Sequence, residues 1–144
     1  MSRVSKSIAT LCIRGDDLFP GEITELLQAD PDFATAKGES VVARHSGSAR
    51  IAKTGLWNLE SSDQQPADLD LQIREVLSRT TSNIEVWRSL SKKYRVSMSC
   101  GLFVQDWNQQ LNISPESLEA LGIRGIQLEL DIYEGCEEER EKLS

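Results

Sequence analysis

The stretch YRVSMSCGLFV, residues 94–104, decides the fold because every second side chain along it is apolar. A period of two is what a β-strand requires when one face of its sheet is buried and the other is open. The stretch IQLELDIY, residues 126–133, shows the same alternation near the end of the chain. Two such strands predict a sheet that is covered on one face only.

Four amphipathic helices are predicted outside these strands. The first begins at Pro20 and is ended by Asp30-Pro31, since the residue before a proline avoids the helical region. The others span residues 69–77, 84–90 and 115–121. Pro20 and Pro115 suit the first turn of a helix, where a backbone N–H has no partner anyway. Asp68 and Ser82 suit helix caps, and Gly122 suits a left-handed helix end. The predicted fold class is α+β, a mainly antiparallel sheet with helices packed on one face.

The first half of the chain carries weaker strand signals. Residues 8–13 are mostly apolar and β-branched, and they predict a strand. Residues 41–43 and 50–59 predict a hairpin that turns at residues 46–48 (SGS). Gly55 lies inside the second hairpin strand, where it marks a bulge or a close backbone approach.

Two segments of the chain share a plan. The sequence FPGEI at residues 19–23 and the sequence SPESL at residues 114–118 each place a proline at a helix start, with an apolar residue at the same offset after it. This similarity suggests a pseudo-repeat of two strand–helix–strand halves in a ferredoxin-like arrangement.

Length and composition predict one folded domain. The chain has 144 residues, which we divide into a single α+β domain over residues 1–133 and an acidic C-terminal tail over residues 134–144. The net charge of −7 disfavours binding to nucleic acid, since phosphates call for a basic surplus. No apolar stretch approaches the roughly 18 residues that a membrane helix needs.

The cysteines indicate a reducing compartment. Cys12, Cys100 and Cys136 are widely spaced and odd in number, and the chain has one histidine, so a zinc site is not expected. Free thiols and the lack of an apolar run of signal-peptide length predict a cytoplasmic protein. We expect no metal and no other cofactor.

The stretch LCIRGDDLFPGEITELL, residues 11–27, resembles the opening of the bacterial domain-of-unknown-function 4279 family. Three later segments agree with the resemblance, namely GLW at 55–57, ISPESL at 113–118 and LELDIY at 128–133. The resemblance extends from about residue 8 to residue 133. It implies no activity, because the family itself has no established one.

Two sets of charged residues are candidate sites. Asp16 and Asp17 end the first strand, where paired carboxylates would bind a cation or act as acid and base. The alternative is turn chemistry, which aspartate favours.

The second set is a basic stretch around the predicted turn at 46–48, formed by Lys37, Arg44, His45, Arg50 and Lys53. Such a stretch would hold an anion, either a phosphate or a partner's carboxylates, although the alternative is a solvated hairpin. His45 would serve as a general base, but no nucleophile is singled out, and a surface histidine is the alternative.

The three tryptophans differ in their surroundings. Trp57 and Trp87 fit core positions, whereas Trp107 lies in a polar loop. An exposed tryptophan is a common energetic hot spot of protein interfaces. The alternative, in which Trp107 folds back and closes one end of the core, stays open at this point.

The sequence favours a non-enzymatic protein-binding module over an enzyme. Its candidate binding residues are Asp16, Asp17, Arg44, His45, Arg50 and Trp107. One version is an immunity-type protein that inhibits a toxin partner. A small hydrolase that uses Asp16, Asp17 and His45 is the first alternative. A homo-oligomer that pairs through a free strand edge is the second. The expected partner is a protein, and neither nucleic acid nor a membrane.

Overall fold

The computed structural model describes residues 2–43 and 46–134, which form nine strands and four helices. In chain order the elements are β1 (Ser2–Arg3), β2 (Lys6–Gly15), α1 (Pro20–Leu27), β3 (Phe33–Thr35), β4 (Ser40–Val42), β5 (Ala49–Ile51), β6 (Gly55–Glu60), α2 (Leu69–Ser78), α3 (Ile84–Lys93), β7 (Arg95–Val104), β8 (Gln109–Gln110), α4 (Pro115–Ile123) and β9 (Gln127–Glu134).

Five strands make the main sheet, in the order β3-β6-β2-β7-β9. Three of its four pairings are antiparallel, and the pairing of β7 with β9 is parallel. A parallel pair needs a crossover connection, and α4 lies between β7 and β9 in the chain. The predicted fold class, an α+β domain with a mainly antiparallel sheet, is confirmed.

The hydrophobic core lies between the sheet and the helices. Ala9, Leu11 and Ile13 of β2 are fully buried, and every helix contributes buried side chains to the same cluster. Trp57 and Trp87 are both fully buried, as predicted. The helices therefore cover one face of the sheet, which we call the helix face.

The opposite face of the sheet, which we call the open face, carries the alternate residues of each strand. Thr10, Cys12 and Arg14 of β2 lie on it, because successive side chains of a strand point to opposite faces. Arg95 of β7 also lies on it, since Arg95 pairs directly with Arg14. Arg14 and Arg95 are exposed, so charged side chains reach solvent on this face.

The predicted hairpin strand over residues 50–59 is wrong in one respect. The structure divides it into β5, which pairs with β4, and β6, which pairs with β2 and β3 in the main sheet. The N–H of Ala52 donates to the carbonyl of Glu39, and the N–H of Gly38 donates to the carbonyl of Ala52. These two bonds end the hairpin and allow the chain to turn into the main sheet.

The structure also differs from the prediction at two helix ends. Asn83 rather than Ser82 caps α3, because its side chain accepts the N–H of Glu85. Gly122 lies inside α4, and the residue with positive φ after that helix is Gly125. The predicted cap Asp68 is confirmed, because its side chain accepts a hydrogen bond from a backbone N–H of the first turn of α2, and Ser114 caps α4 in the same way.

The pseudo-repeat is not seen in the described strands. In the first half the strand that follows α1 is β3, which runs in the same direction as β2 but is separated from it by β6, whereas in the second half the strand that follows α4 is β9, which pairs directly with β7. The two proline-led helices therefore both connect strands of the same direction, but only the second connects neighbouring strands.

No helix in the described part of the chain is long and apolar enough to span a membrane. The predicted acidic tail begins at Glu134, which still belongs to β9. The rest of that tail, residues 135–144, lies outside the described residues.

Candidate functional site

A groove of about 470 Å³ lies where the open face meets the β4–β5 hairpin. Leu56 of β6 is paired with Arg14 of β2 on one side and with Thr35 of β3 on the other, so all three point to the open face. Phe33 lies two residues before Thr35 and shares that face. These four side chains form the floor of what we call the basic groove.

The β4–β5 hairpin forms the wall of the basic groove. Val41 and Arg50 are direct partners in the hairpin, and both line the groove together with Ile51. The hairpin turn contains Gly47, whose φ of 69° is in the left-handed region that glycine adopts without strain. Gly47 thus belongs to the predicted turn at residues 46–48, which lies between β4 and β5.

Three of the described lining residues, Arg14, Arg50 and Lys53, are cationic. None of them forms an ion pair with any residue that the structure describes, and none of the described lining residues carries a carboxylate. The carboxylate of Glu39 accepts a hydrogen bond from the hydroxyl of Thr35, a residue of the groove floor, over 3.1 Å. The groove therefore combines unpaired positive charge with apolar walls.

Cys12 lies next to Arg14 on the open face, but its thiol is not set up as a nucleophile. Burial raises the pKa of Cys12; the positive charge of Arg14 opposes this shift, and the charges of Glu129 and Glu60 add to it. Cys100 lies in the core, where burial raises the pKa of its thiol to about 12. Burial therefore disfavours the thiolate form of both cysteines, and only a thiolate reacts as a nucleophile.

Asp16 and Asp17 follow β2 and are both exposed. The N–H of Leu18 donates to the carbonyl of Gly15 across this turn, which supports the turn interpretation. The Asp16 carboxylate lies 3.5 Å from the Lys37 ammonium, so the aspartate turn and the start of the basic stretch share a surface. Neither aspartate lines the basic groove.

The predicted binding residues are only partly brought together. Arg50 lies in the basic groove, whereas Trp107 lies in the loop between β7 and β8 and is 97% exposed. The alternative in which Trp107 closes one end of the core is wrong. Arg44 and His45 lie outside the described residues, so their binding role stays a prediction.

Sequence reasoning missed Arg14 as a groove residue. The predicted strand over residues 8–13 stops before Arg14, whereas β2 extends to Gly15. The available signal was strand periodicity. Once Leu11 and Ile13 are placed in the core, Arg14 must point to the open face.

The described residues contain no group of three or more histidine, cysteine, aspartate or glutamate side chains that would hold a metal ion.

Comparison with known proteins adds one match. The model of a family described as a domain of unknown function, DUF4279, matches residues 5–135. No curated protein and no solved structure matches the chain.

Proposed function

This chain belongs to the DUF4279 family, and we propose that it is a non-enzymatic, cytoplasmic protein-binding module that holds an acidic segment of its partner in the basic groove. The family description names no activity, so the proposal rests on the chemistry of the groove. The partner segment carries carboxylates for the cations and apolar side chains for the walls.

One observation carries the proposal, namely the cluster formed by Arg14, Arg50 and Lys53. The chain has a net charge of −7, and yet these three cations meet in one groove without an ion pair among the described residues. Hydrogen bonds between ionised donors and carboxylates are among the stronger ones that proteins make. Unpaired cations beside an apolar surface therefore favour an anionic ligand.

The shape of the groove favours a peptide segment over nucleic acid. A duplex presents one negative charge for every 1.7 Å or so of its length and requires an extended basic surface. The basic groove has a volume of about 470 Å³ and exposes Phe33 and Ile51 beside its cations. A short acidic segment with one or two apolar side chains matches this combination.

A hydrolase is less well supported than a binding module. It would require Asp16, Asp17 and His45 to converge on a substrate, but Asp16 is engaged by Lys37 and neither aspartate lines the groove. His45 is outside the described residues, so the hydrolase stays an alternative. The narrower version, an immunity-type inhibitor of a toxin, also stays a hypothesis.

The experiment is capture of partners from a cell lysate on the immobilised protein, at low and at moderate salt, with identification by mass spectrometry. The test variant is Arg50→Glu/Lys53→Glu. The matched control is Arg88→Glu/Lys92→Glu, which makes the same change in charge on α3. Circular dichroism checks that both variants fold.

We expect a stoichiometric partner that binds the wild type and the control variant but not the groove variant. Its binding weakens at moderate salt, because salt screens attraction between exposed charges. A partner that the groove variant retains, or that binds equally well at both salt concentrations, would contradict the role of the basic groove.

A further inference from the structure

Strand β9 lies at one edge of the main sheet. It pairs with β7 in an unbroken register from Ser97 opposite Gln127 to Val104 opposite Glu134. No strand among the described residues pairs with its other edge. Such an edge presents backbone N–H and C=O groups to which another extended chain can pair.

The two sides of β9 differ in chemistry. Leu128, Leu130 and Ile132 pair with residues of β7 that point into the core, so they lie on the helix face. Leu130 is nevertheless 48% exposed and Ile132 is 62% exposed, because the helices do not cover this end of the sheet.

The open-face side of β9 is polar and carries Glu129 and Asp131. The Glu129 carboxylate lies 3.6 Å from the Arg95 guanidinium, and the Asp131 carboxylate accepts the hydroxyl of Tyr133. Arg95 is thus paired with Glu129, and the open-face side of β9 carries two carboxylates, those of Glu129 and Asp131.

This edge has only part of the usual protection against strand addition. Proteins blunt exposed edges with charged side chains, especially lysine, with proline, with β-bulges or with very short strands. The sequence of β9 (QLELDIYE) carries acidic side chains but neither lysine nor proline, its register with β7 shows no bulge, and it is eight residues long. A regular edge whose charges are all acidic and whose other side is apolar and exposed is suited to receive a further strand that carries cations.

We propose that β9 accepts an extended segment of a partner protein as a sixth strand, and that this segment alternates apolar residues with lysine or arginine. Its apolar side chains would pack beside Leu130 and Ile132, and its cations would lie beside Glu129 and Asp131. Opposite charges in direct cross-strand pairs stabilise a sheet. The inference rests on β9 alone, and it holds whether or not the basic groove binds a ligand.

A second copy of this chain is a poorer occupant than such a segment. Pairing of two β9 strands would place the acidic sides of both copies on one face of the joined sheet. Glu129 and Asp131 would then face acidic residues of the other copy, and like charges directly opposite one another are destabilising. Charge complementarity therefore favours a basic and apolar segment.

The probe is a synthetic decapeptide that alternates lysine and valine, with a glutamate–valine decapeptide as its control. Binding to the whole chain is followed by NMR through amide shifts and hydrogen exchange of residues 127–134. We expect saturable shifts and slowed exchange on β9. The glutamate peptide should bind at least about tenfold more weakly, since its charges repel those of β9.

Three single variants sharpen the test. Ile132→Lys should abolish binding of the lysine peptide, while Leu118→Lys, which alters an exposed apolar residue of α4, should leave binding unchanged. Asp131→Lys should reverse the preference between the two peptides. The groove variant Arg50→Glu/Lys53→Glu should bind as the wild type does, which separates this inference from the proposed function.

Several results would overturn the inference. They are the absence of shifts on β9 at millimolar peptide, shifts confined to another surface, and equal binding by the Ile132→Lys variant. A dimer in light scattering that dissociates in the Ile132→Lys variant would also overturn it, because a second copy would then be the occupant.

Discussion

Ser7 of β2 and Gln72 of α2 are joined by two reciprocal hydrogen bonds in the buried layer between helix and sheet. The Ser7 hydroxyl donates to Gln72 Oε1 over 2.5 Å, and Gln72 Nε2 donates to the Ser7 carbonyl over 2.7 Å. Gln72 Nε2 also donates to the carbonyl of Ser62 over 2.8 Å. Because both side chains are fully buried, these bonds fix α2 over the centre of the sheet.

We predict that Gln72→Leu destabilises the protein by about 2–3 kcal/mol, because it leaves several buried polar groups without a partner. Urea unfolding at neutral pH measures the change. Arg74→Leu, on the exposed side of the same helix, is the control and should cost less than about 0.5 kcal/mol. Equal losses in the two variants would show that the buried hydrogen bonds contribute little.

Gly55 and Gly122 should respond in opposite directions to alanine. A Cβ at Gly55 would lie 2.7 Å from the carbonyl oxygen of Gly15 and 2.9 Å from Cβ of Leu18, whereas a Cβ at Gly122 would meet nothing within 4 Å. Gly55→Ala should destabilise by about 1–3 kcal/mol through overpacking.

Gly122→Ala should stabilise by about 0.5–1 kcal/mol, since Gly122 lies inside α4 and alanine favours a helix. Thermal unfolding of both variants provides the comparison. A similar change of melting temperature in both would contradict the close approach at Gly55.

Asp70 is predicted to give a pH-dependent contribution to stability. Burial alone would raise the pKa of Asp70. Hydrogen bonds from the backbone N–H of Ser114 and from the hydroxyls of Ser117 and Ser114 oppose this effect, and so does the positive charge of Arg74. Together they lower the pKa of Asp70 below its ordinary value. A carboxylate with a lowered folded-state pKa stabilises the protein above its unfolded pKa, and this contribution is lost as pH falls through the folded value.

The wild type should therefore have a larger free energy of unfolding than Asp70→Asn at neutral pH. This difference in free energy should disappear as the pH falls below 3.8, the ordinary pKa of an aspartate side chain. Urea unfolding of both proteins from about pH 7 to about pH 2.5 measures it. A difference that stays constant over this range would show that the charge of Asp70 does not stabilise the fold.

The strands β7 and β9 could be predicted closely from sequence because alternation is a property of the strand itself. The strand predicted over residues 94–104 corresponds to β7 (Arg95–Val104), and the strand predicted over residues 126–133 corresponds to β9 (Gln127–Glu134). Their parallel pairing could not be predicted this way, because it depends on the crossover through α4. The division of residues 50–59 also depends on a tertiary contact, the hydrogen bonds between Ala52 and the chain at residues 38 and 39.

The candidate site was predictable only where charge is local in sequence. Arg50 and Lys53 stood out as members of one basic stretch, and both line the basic groove. Arg14 lies 36 positions before Arg50 in the sequence, on β2. It reaches the groove because β2 pairs with β6, the strand that follows Lys53 in the chain. Conversely, Lys37 belonged to the same stretch, but its nearest partner is Asp16.

The exposure of Trp107 predicts how the fluorescence of the protein responds to a quencher. Trp57 and Trp87 are fully buried, and their indole N–H groups donate to the Thr24 hydroxyl and to the Thr81 carbonyl. Trp107 is 97% exposed, so acrylamide should quench mainly its emission. The Trp107→Phe variant should lose the quenchable, red-shifted part of the spectrum.

The same variant separates surface exposure from a structural role. If Trp107 contacts only solvent, Trp107→Phe should change the free energy of unfolding by less than about 0.5 kcal/mol. A loss of about 3 kcal/mol or more, as expected for truncating a packed aromatic, would contradict the exposed position. A captured partner that protects Trp107 from acrylamide would in addition place this loop in the interface, because an exposed tryptophan that becomes buried is typical of a binding hot spot.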